Sequence, residues 1–287
     1  MPLTTRFNQN PNHKSLAMPA RLAMAAALTA LLASSASAAP IKTLFLGYDW
    51  GVDAVMADIL GSDARFDLPG STAISACDGS AAPSLAALRQ YNSVLVWANC
   101  GPASGLGNVL ADYADQGGRV VLSTFLGYYD SFGGFGGRIT SHGYNPFTGG
   151  TTDAYHSVTL GSHDSGNALF NGVTSVSSSY YNGDWLALDS GATLLASWSD
   201  GRPFVGVNAA GNVLNVSLFP NVATYGHASG NYAQLFRNAL AYGGPSSNTT
   251  AQALPEPSSM LLVALAGLAL VGVRRRSKHL GGEVGQP

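Results

Sequence analysis

Charge is scarce in this chain of 287 residues: only 10% are Asp, Glu, Lys or Arg. Residues 41–244 contain no glutamate; fourteen Asp stand against seven Lys and Arg, a net charge of −7. No basic patch is therefore available for nucleic acid. Cysteine is nearly absent, with Cys77 and Cys100 the only two. No histidine is placed by the sequence to activate either of them, which argues against a catalytic thiol. Long apolar runs are missing too. The last one, near the C-terminus, holds about 14–16 residues against the roughly 20 of a spanning helix. There is no Asp-x-Asp-x-Asp-Gly calcium loop, and no internal repeat. No two of His142, His156, His163 and His227 fall at the i, i+4 spacing of a metal pair. Neither a metal nor another cofactor is expected, and the surplus Asp reads as turn and cap chemistry.

The two ends read as sorting segments rather than as parts of a fold. Arg6, Lys14 and Arg21 precede the apolar run 22–32, and Ala36-Ser37-Ala38 matches an A-x-A cleavage pattern. Residues 1–38 are expected to be a signal peptide cut after Ala38, with Met18 as an alternative start to Met1. At the other end Pro255-Glu256-Pro257 leads into MLLVALAGLALVGV, and Arg274, Arg275, Arg276 and Lys278 follow at once. An abrupt basic flank keeps that side in the cytoplasm and favours a membrane helix, at 259–273, over a core helix.

These three parts in this order, over 255–278, resemble the PEP-CTERM sorting signal of exported bacterial proteins. The resemblance implies an exosortase-type enzyme as partner. That enzyme would recognise Pro255-Glu256-Pro257 and remove the helix, releasing the protein from the inner membrane to the cell surface or extracellular polymer. The tail 280–287, running on past the basic cluster, departs from the usual pattern. An exported chain also meets an oxidising compartment, where Cys77 and Cys100 could pair: Cys100 ends one strand, Cys77 lies in the loop after the preceding strand, and neighbouring parallel strands could bring the two together.

What remains, 39–244, is long enough for one sizeable core, with 245–254 a polar linker. Its organising stretch is 91–125. The apolar run 93–98 is a strand buried on both faces. A turn with Gly101 and Pro102 follows, and Ser104 is the expected N-cap. Leu106, Val109, Leu110 and Tyr113 then recur at helical spacing, Gly117-Gly118 stops the helix, and 119–125 is a second strand. This is a βαβ unit with parallel strands. Before it lie an expected strand at 42–48, a helix stopped by Gly61, a short strand at 65–68, a loop at 69–82 and a helical turn opening on Pro83. The alternation predicts an α/β fold with a doubly wound, mostly parallel sheet. From 157 onward short strands are expected at 157–160, 173–176, 185–188, 192–198, 203–208 and 212–219, as antiparallel additions. The Ala210-Gly211 turn suits a hairpin, and 232–242 is a closing amphipathic helix.

Six phrases together resemble the class I glutamine-amidotransferase-like fold, nearest its noncatalytic relatives around the trehalose-utilisation (ThuA-like) group. They are LRQYNSVLVW, VLADYADQGGRVVLSTF, NALFNGVTSV, LLASWSDGRPFVGV, GNVLNVSLFP and LFRNALAY. The amidotransferase chemistry does not carry over. That family sets a cysteine on a sharp turn after the strand that here is 119–125, and this chain reads Leu122-Ser123-Thr124-Phe125-Leu126. It also sets a histidine after a late strand, where this chain reads Leu218-Phe219-Pro220-Asn221. Gly105-x-Gly107 opens a helix but lacks the third glycine of a dinucleotide loop.

The loop expected over 127–152 leaves the carboxyl end of a central strand, where such sheets bind ligands. Its Tyr128, Tyr129, Phe135 and Tyr144 suit the apolar faces of sugar rings. The leading expectation is thus an exported surface or matrix protein whose noncatalytic domain binds glycan, with extracellular polysaccharide as partner. The alternative is a sugar-directed hydrolase or isomerase using Asp130, His142 or His156. The side chains above Asp49, Asn99 and Thr124 decide between an enzyme and a binder.

Overall fold

Leu44 and Leu46 lie in one buried cluster and Phe45 in another. The same alternation splits Val94 and Val96 from Leu95 and Trp97, and Val120 and Leu122 from Val121. Strands covered on both faces must be apolar at every position, which is why these runs read as continuous. The computed structural model describes residues 39–77, 81–124, 136–141, 143–154, 156–180 and 182–243, all within the unit Met1–Ser246. Both sorting segments lie outside these residues.

In order the elements are β1 (Thr43–Tyr48), α1 (Val52–Leu60), β2 (Thr72–Ser75), α2 (Leu85–Leu88), β3 (Ser93–Ala98), α3 (Leu106–Asp115) and β4 (Arg119–Ser123). There follow β5 (Phe147–Ala154), β6 (Val158–His163), β7 (Val176–Ser178), β8 (Asn182–Leu188), β9 (Thr193–Trp198), β10 (Pro203–Val207), β11 (Val213–Val216), α4 (Val222–Tyr225), β12 (Ala228–Gly230) and α5 (Tyr232–Ala241). The main sheet runs β12-β7-β6-β9-β10-β11-β4-β3-β1-β2. Its last five strands, from β11 to β2, are mutually parallel. The other half, from β10 to β12, is antiparallel. A separate antiparallel pair joins β5 to β8.

Two layers of helices cover the parallel half. Val55 and Ile59 of α1 and Leu235, Phe236, Ala239 and Leu240 of α5 share a cluster with Phe45, Leu95, Trp97 and Val121. Leu88 of α2 and Leu106 and Leu110 of α3 pack with the opposite face. The expected α/β architecture, doubly wound with antiparallel additions, is the one observed.

Several boundaries differ from expectation, each for a local reason. The partner of β1 is not 65–68 but β2, inside what reads as a loop. Phe66 makes only a single parallel bridge to Ile41. β2 is a half-buried edge strand, so its residues carry little apolar signal. Strand β7 starts at Val176 rather than at 173. The Asn231 side-chain oxygen accepts from the backbone N–H groups of Thr174 and Ser175, which diverts those groups from a ladder. Ser84 caps α2, leaving Pro83 outside that helix. Gly105, at φ +82°, takes the N-cap of α3 in place of Ser104. The long loop ends early, since Phe147 already begins β5.

Gly107 shows what its pair of glycines is for. A Cβ at Gly107 would stand 1.9 Å from the backbone oxygen of Gly136. The glycine permits a close crossing of chain over helix. Alanine would gain roughly 1 kcal/mol in helix propensity, yet Gly107→Ala is expected to lower stability by about 1–3 kcal/mol, because overpacking against backbone outweighs that gain. Urea unfolding of the two proteins checks this.

Candidate functional site

All five parallel strands end on one edge of the sheet. The chain turns one way from β1 to β2 and the other way towards β3, so the crevice between β1 and β3 is a topological switch point, where open α/β sheets bind ligands. Asp49 follows β1 and Asn99 follows β3 at this point.

Asp49 is fully buried and has five donors around it. Oδ2 accepts from Asn221 Nδ2 at 2.7 Å and from the Trp97 indole at 3.1 Å. Oδ1 accepts from the Trp50 backbone N–H at 2.8 Å, and from Asn99 Nδ2 and the Tyr225 hydroxyl at 3.4 Å each. Asn99 also donates to the Tyr225 hydroxyl at 2.8 Å. The set is all donors and contains no cation, which suits an acceptor-only carboxylate.

The sequence builds this ring piece by piece. Gly47 faces Trp97 in the parallel register, and a Cβ there would come within 2.6 Å of the indole. Glycine therefore lets the indole lie flat along β1 with its N–H on Asp49. Gly51, at φ +70°, turns the chain into α1 directly after Asp49 and Trp50. Asn221 caps α4 through its side-chain oxygen, so its amide group is left to donate to Asp49 and to the Trp50 carbonyl at 2.9 Å. Burial, and then the field of Asp49, raise the Tyr225 pKa, which keeps it a phenol. The Trp50 ring stands out from this cluster, 62% exposed.

A disulfide joins Cys77, beyond β2, to Cys100, beyond β3, with Cα atoms 5.8 Å apart. Because β1 lies between those strands, the link straps across its carboxyl end. Both cysteines of the chain are thereby used.

Of the binding and catalytic candidates singled out by the sequence, Tyr144 and His156 fall among the described residues. The Tyr144 hydroxyl donates to Asp115 at 2.8 Å and accepts from Arg138 at 2.6 Å, while the Arg138 guanidinium sits 5.5 Å over its ring. Arg138 also pairs with Asp112 at 2.6 Å. Tyr144 thus fastens the loop to the far end of α3, away from the carboxyl edge. His156 is exposed, and its carbonyl accepts from Asn182 at 2.9 Å. Tyr128, Tyr129, Phe135, Asp130 and His142 lie outside the described residues. Ser123 and Thr124 are buried, and the Ser123 hydroxyl donates to the Leu218 carbonyl, which commits its proton. Among the described residues no group of three or more His, Cys, Asp or Glu could hold a metal.

Tyr225, Asn221 and the indole of Trp97 are parts of the ring that sequence reasoning missed. The signal available for the rest was an Asp directly after a buried apolar strand. Where the amidotransferase resemblance implies a histidine, Pro220-Asn221 supplies the amide that holds Asp49.

The fold and this edge define a doubly wound α/β domain with a polar, capped switch point. Residues 253–276 match the family model of the PEP-CTERM protein-sorting motif, which implies an exported protein handled by an exosortase. No curated protein matches the chain. Among solved structures, the chain resembles a ThuA-like protein of Bacteroides uniformis at 13% identity and a TM-score of 0.49, over 72% of this chain and 93% of that one. A ThuA-like protein of Parabacteroides merdae gives 17% and 0.49, over 76% and 94%. The cold-adapted β-galactosidase of Rahnella sp. R3 gives 17% and 0.47, over 77% of this chain and 34% of that one. At these identities the likeness concerns the course of the backbone alone. Among the described residues no helix is long and apolar enough to cross a membrane.

Asp49→Ala would leave buried donors on Trp97 and Asn221 without an acceptor, at about 1–3 kcal/mol each. The variant is expected to lose about 3 kcal/mol or more of stability in urea titration, and Trp97 fluorescence should shift as water enters.

Proposed function

We propose that this exported protein is carried through the inner membrane, cut by an exosortase-type enzyme at Pro255-Glu256-Pro257, and left at the cell surface or in the extracellular matrix. There its α/β domain acts as a noncatalytic module that binds glycan. The observation that carries the binding half is the condition of Asp49. A general acid or base must exchange a proton with substrate through a hydrogen bond. The carboxyl group at the switch point is instead occupied on both oxygens and shielded from solvent. The thiols are likewise joined to each other. This edge is built for shape and hydrogen bonding, with the exposed Trp50 beside it. The weakly charged composition suits a polyhydroxylated partner.

Two measurements test the proposal. The full-length protein should be retained by insoluble polysaccharide from the producing cells' own matrix; failure to bind any fraction of that material would overturn the glycan half. Replacing Pro255-Glu256-Pro257 by three alanines is expected to leave an uncut form in the membrane fraction of an exosortase-bearing host. Release at the normal rate would overturn the sorting half.

A further inference from the structure

A cleft of about 330 Å³ opens beside β6, β7 and β12, at the antiparallel end of the main sheet. Its volume is near the lower end of the roughly 300–1,000 Å³ range of small-ligand sites. The hydroxyls of Thr159, Ser177, Ser199 and Ser229 line it, together with His227. Among the described residues no Asp, Glu, Lys or Arg lines it. Strand pairing fixes the hydroxyls in place. Ser177 and Ser229 are opposed in register and share one hydrogen bond of 2.7 Å. Ser199 accepts from the Thr159 backbone N–H at 3.1 Å. Each serine hydroxyl offers one donor and two acceptor positions, so these contacts leave acceptor capacity facing the cleft.

A row of three rings links the cleft, which only His227 lines, to the switch point. His227 lies 4.7 Å from the Tyr180 ring on one side and is nearly parallel to Tyr225, 6.3 Å away, on the other. Tyr225 is the residue whose hydroxyl reaches Asp49, so the rigid cluster at the switch point anchors one end of the row. Burial lowers the His227 pKa.

We infer that this cleft, bordered by His227, is the glycan site, and that its ligand is an uncharged oligosaccharide. The inference rests on the glycan-binding reading above and adds the place and the charge class. The serine and threonine hydroxyls meet those of the sugar. His227 is the ring that borders the cleft. An acidic polymer would find no cation in the cleft, within a domain that is itself negative.

The test is calorimetric titration of the full chain in mild detergent with cellohexaose and maltohexaose as neutral probes and a hyaluronan hexamer as the acidic one. Ser199→Trp fills the mouth from an exposed turn, and Ser177→Phe fills the floor; each is checked by thermal melting. The expected result is binding of a neutral probe, weakened about tenfold or more in both folded variants, about 1.4 kcal/mol or more, with the acidic probe silent. Neutral binding unchanged in Ser199→Trp would overturn the placement and leave the glycan reading standing. Preference for hyaluronan would overturn the charge class. Failure of all three probes, alongside retention on the native matrix, would overturn the inference alone; failure on both would overturn the glycan reading with it.

Discussion

A buried carboxylate with no cation beside it is the constraint on which this domain turns. Desolvating such a group costs several kcal/mol unless hydrogen bonds replace the lost water. Here the replacements come from the ends of β1 and β3 and from the segment after β11, three pieces of chain that meet only in the folded state. The cost of losing any of them locks the carboxyl edge into one arrangement. The same demand explains two glycines: Gly47 makes room for the indole, and Gly51 turns the chain sharply behind the acid.

The parallel half was legible because burial on both faces forces a continuous apolar run, and glycines punctuate the runs. The strands β1, β3 and β4 follow from that rule, and the helices α1, α3 and α5 from apolar residues recurring on one face. Strands at an edge escape it. β2, with Ala73 and Ile74 only half buried, and β12, which is Ala-Ser-Gly, carry no pattern to read. The onset of β7 was hidden because a single asparagine, Asn231, holds the backbone on the other side of the sheet.

The cluster around Asp49 was legible only in outline. Asp49 and Asn99 could be placed at strand ends, yet Asn221 lies 172 residues from the acid it holds. No local spacing reports such a contact. Tyr144 shows a related effect. Tyr144 looks like a sugar platform in a glycine-rich loop, but its hydroxyl and ring are taken by an Arg138 ion cluster that pins the loop. The hydroxyl-lined cleft, in turn, is made of serines that in sequence look like filler and gain meaning only when β7 and β12 lie side by side.

The strap across β1 has a bearing on how the molecule reaches its destination. A bridge closing a loop of 23 residues is worth about 3 kcal/mol through the restriction it places on the unfolded chain. That contribution is absent wherever thiols stay reduced. A chain still in a reducing compartment therefore lacks its covalent clasp and gains it only once it reaches oxidising surroundings.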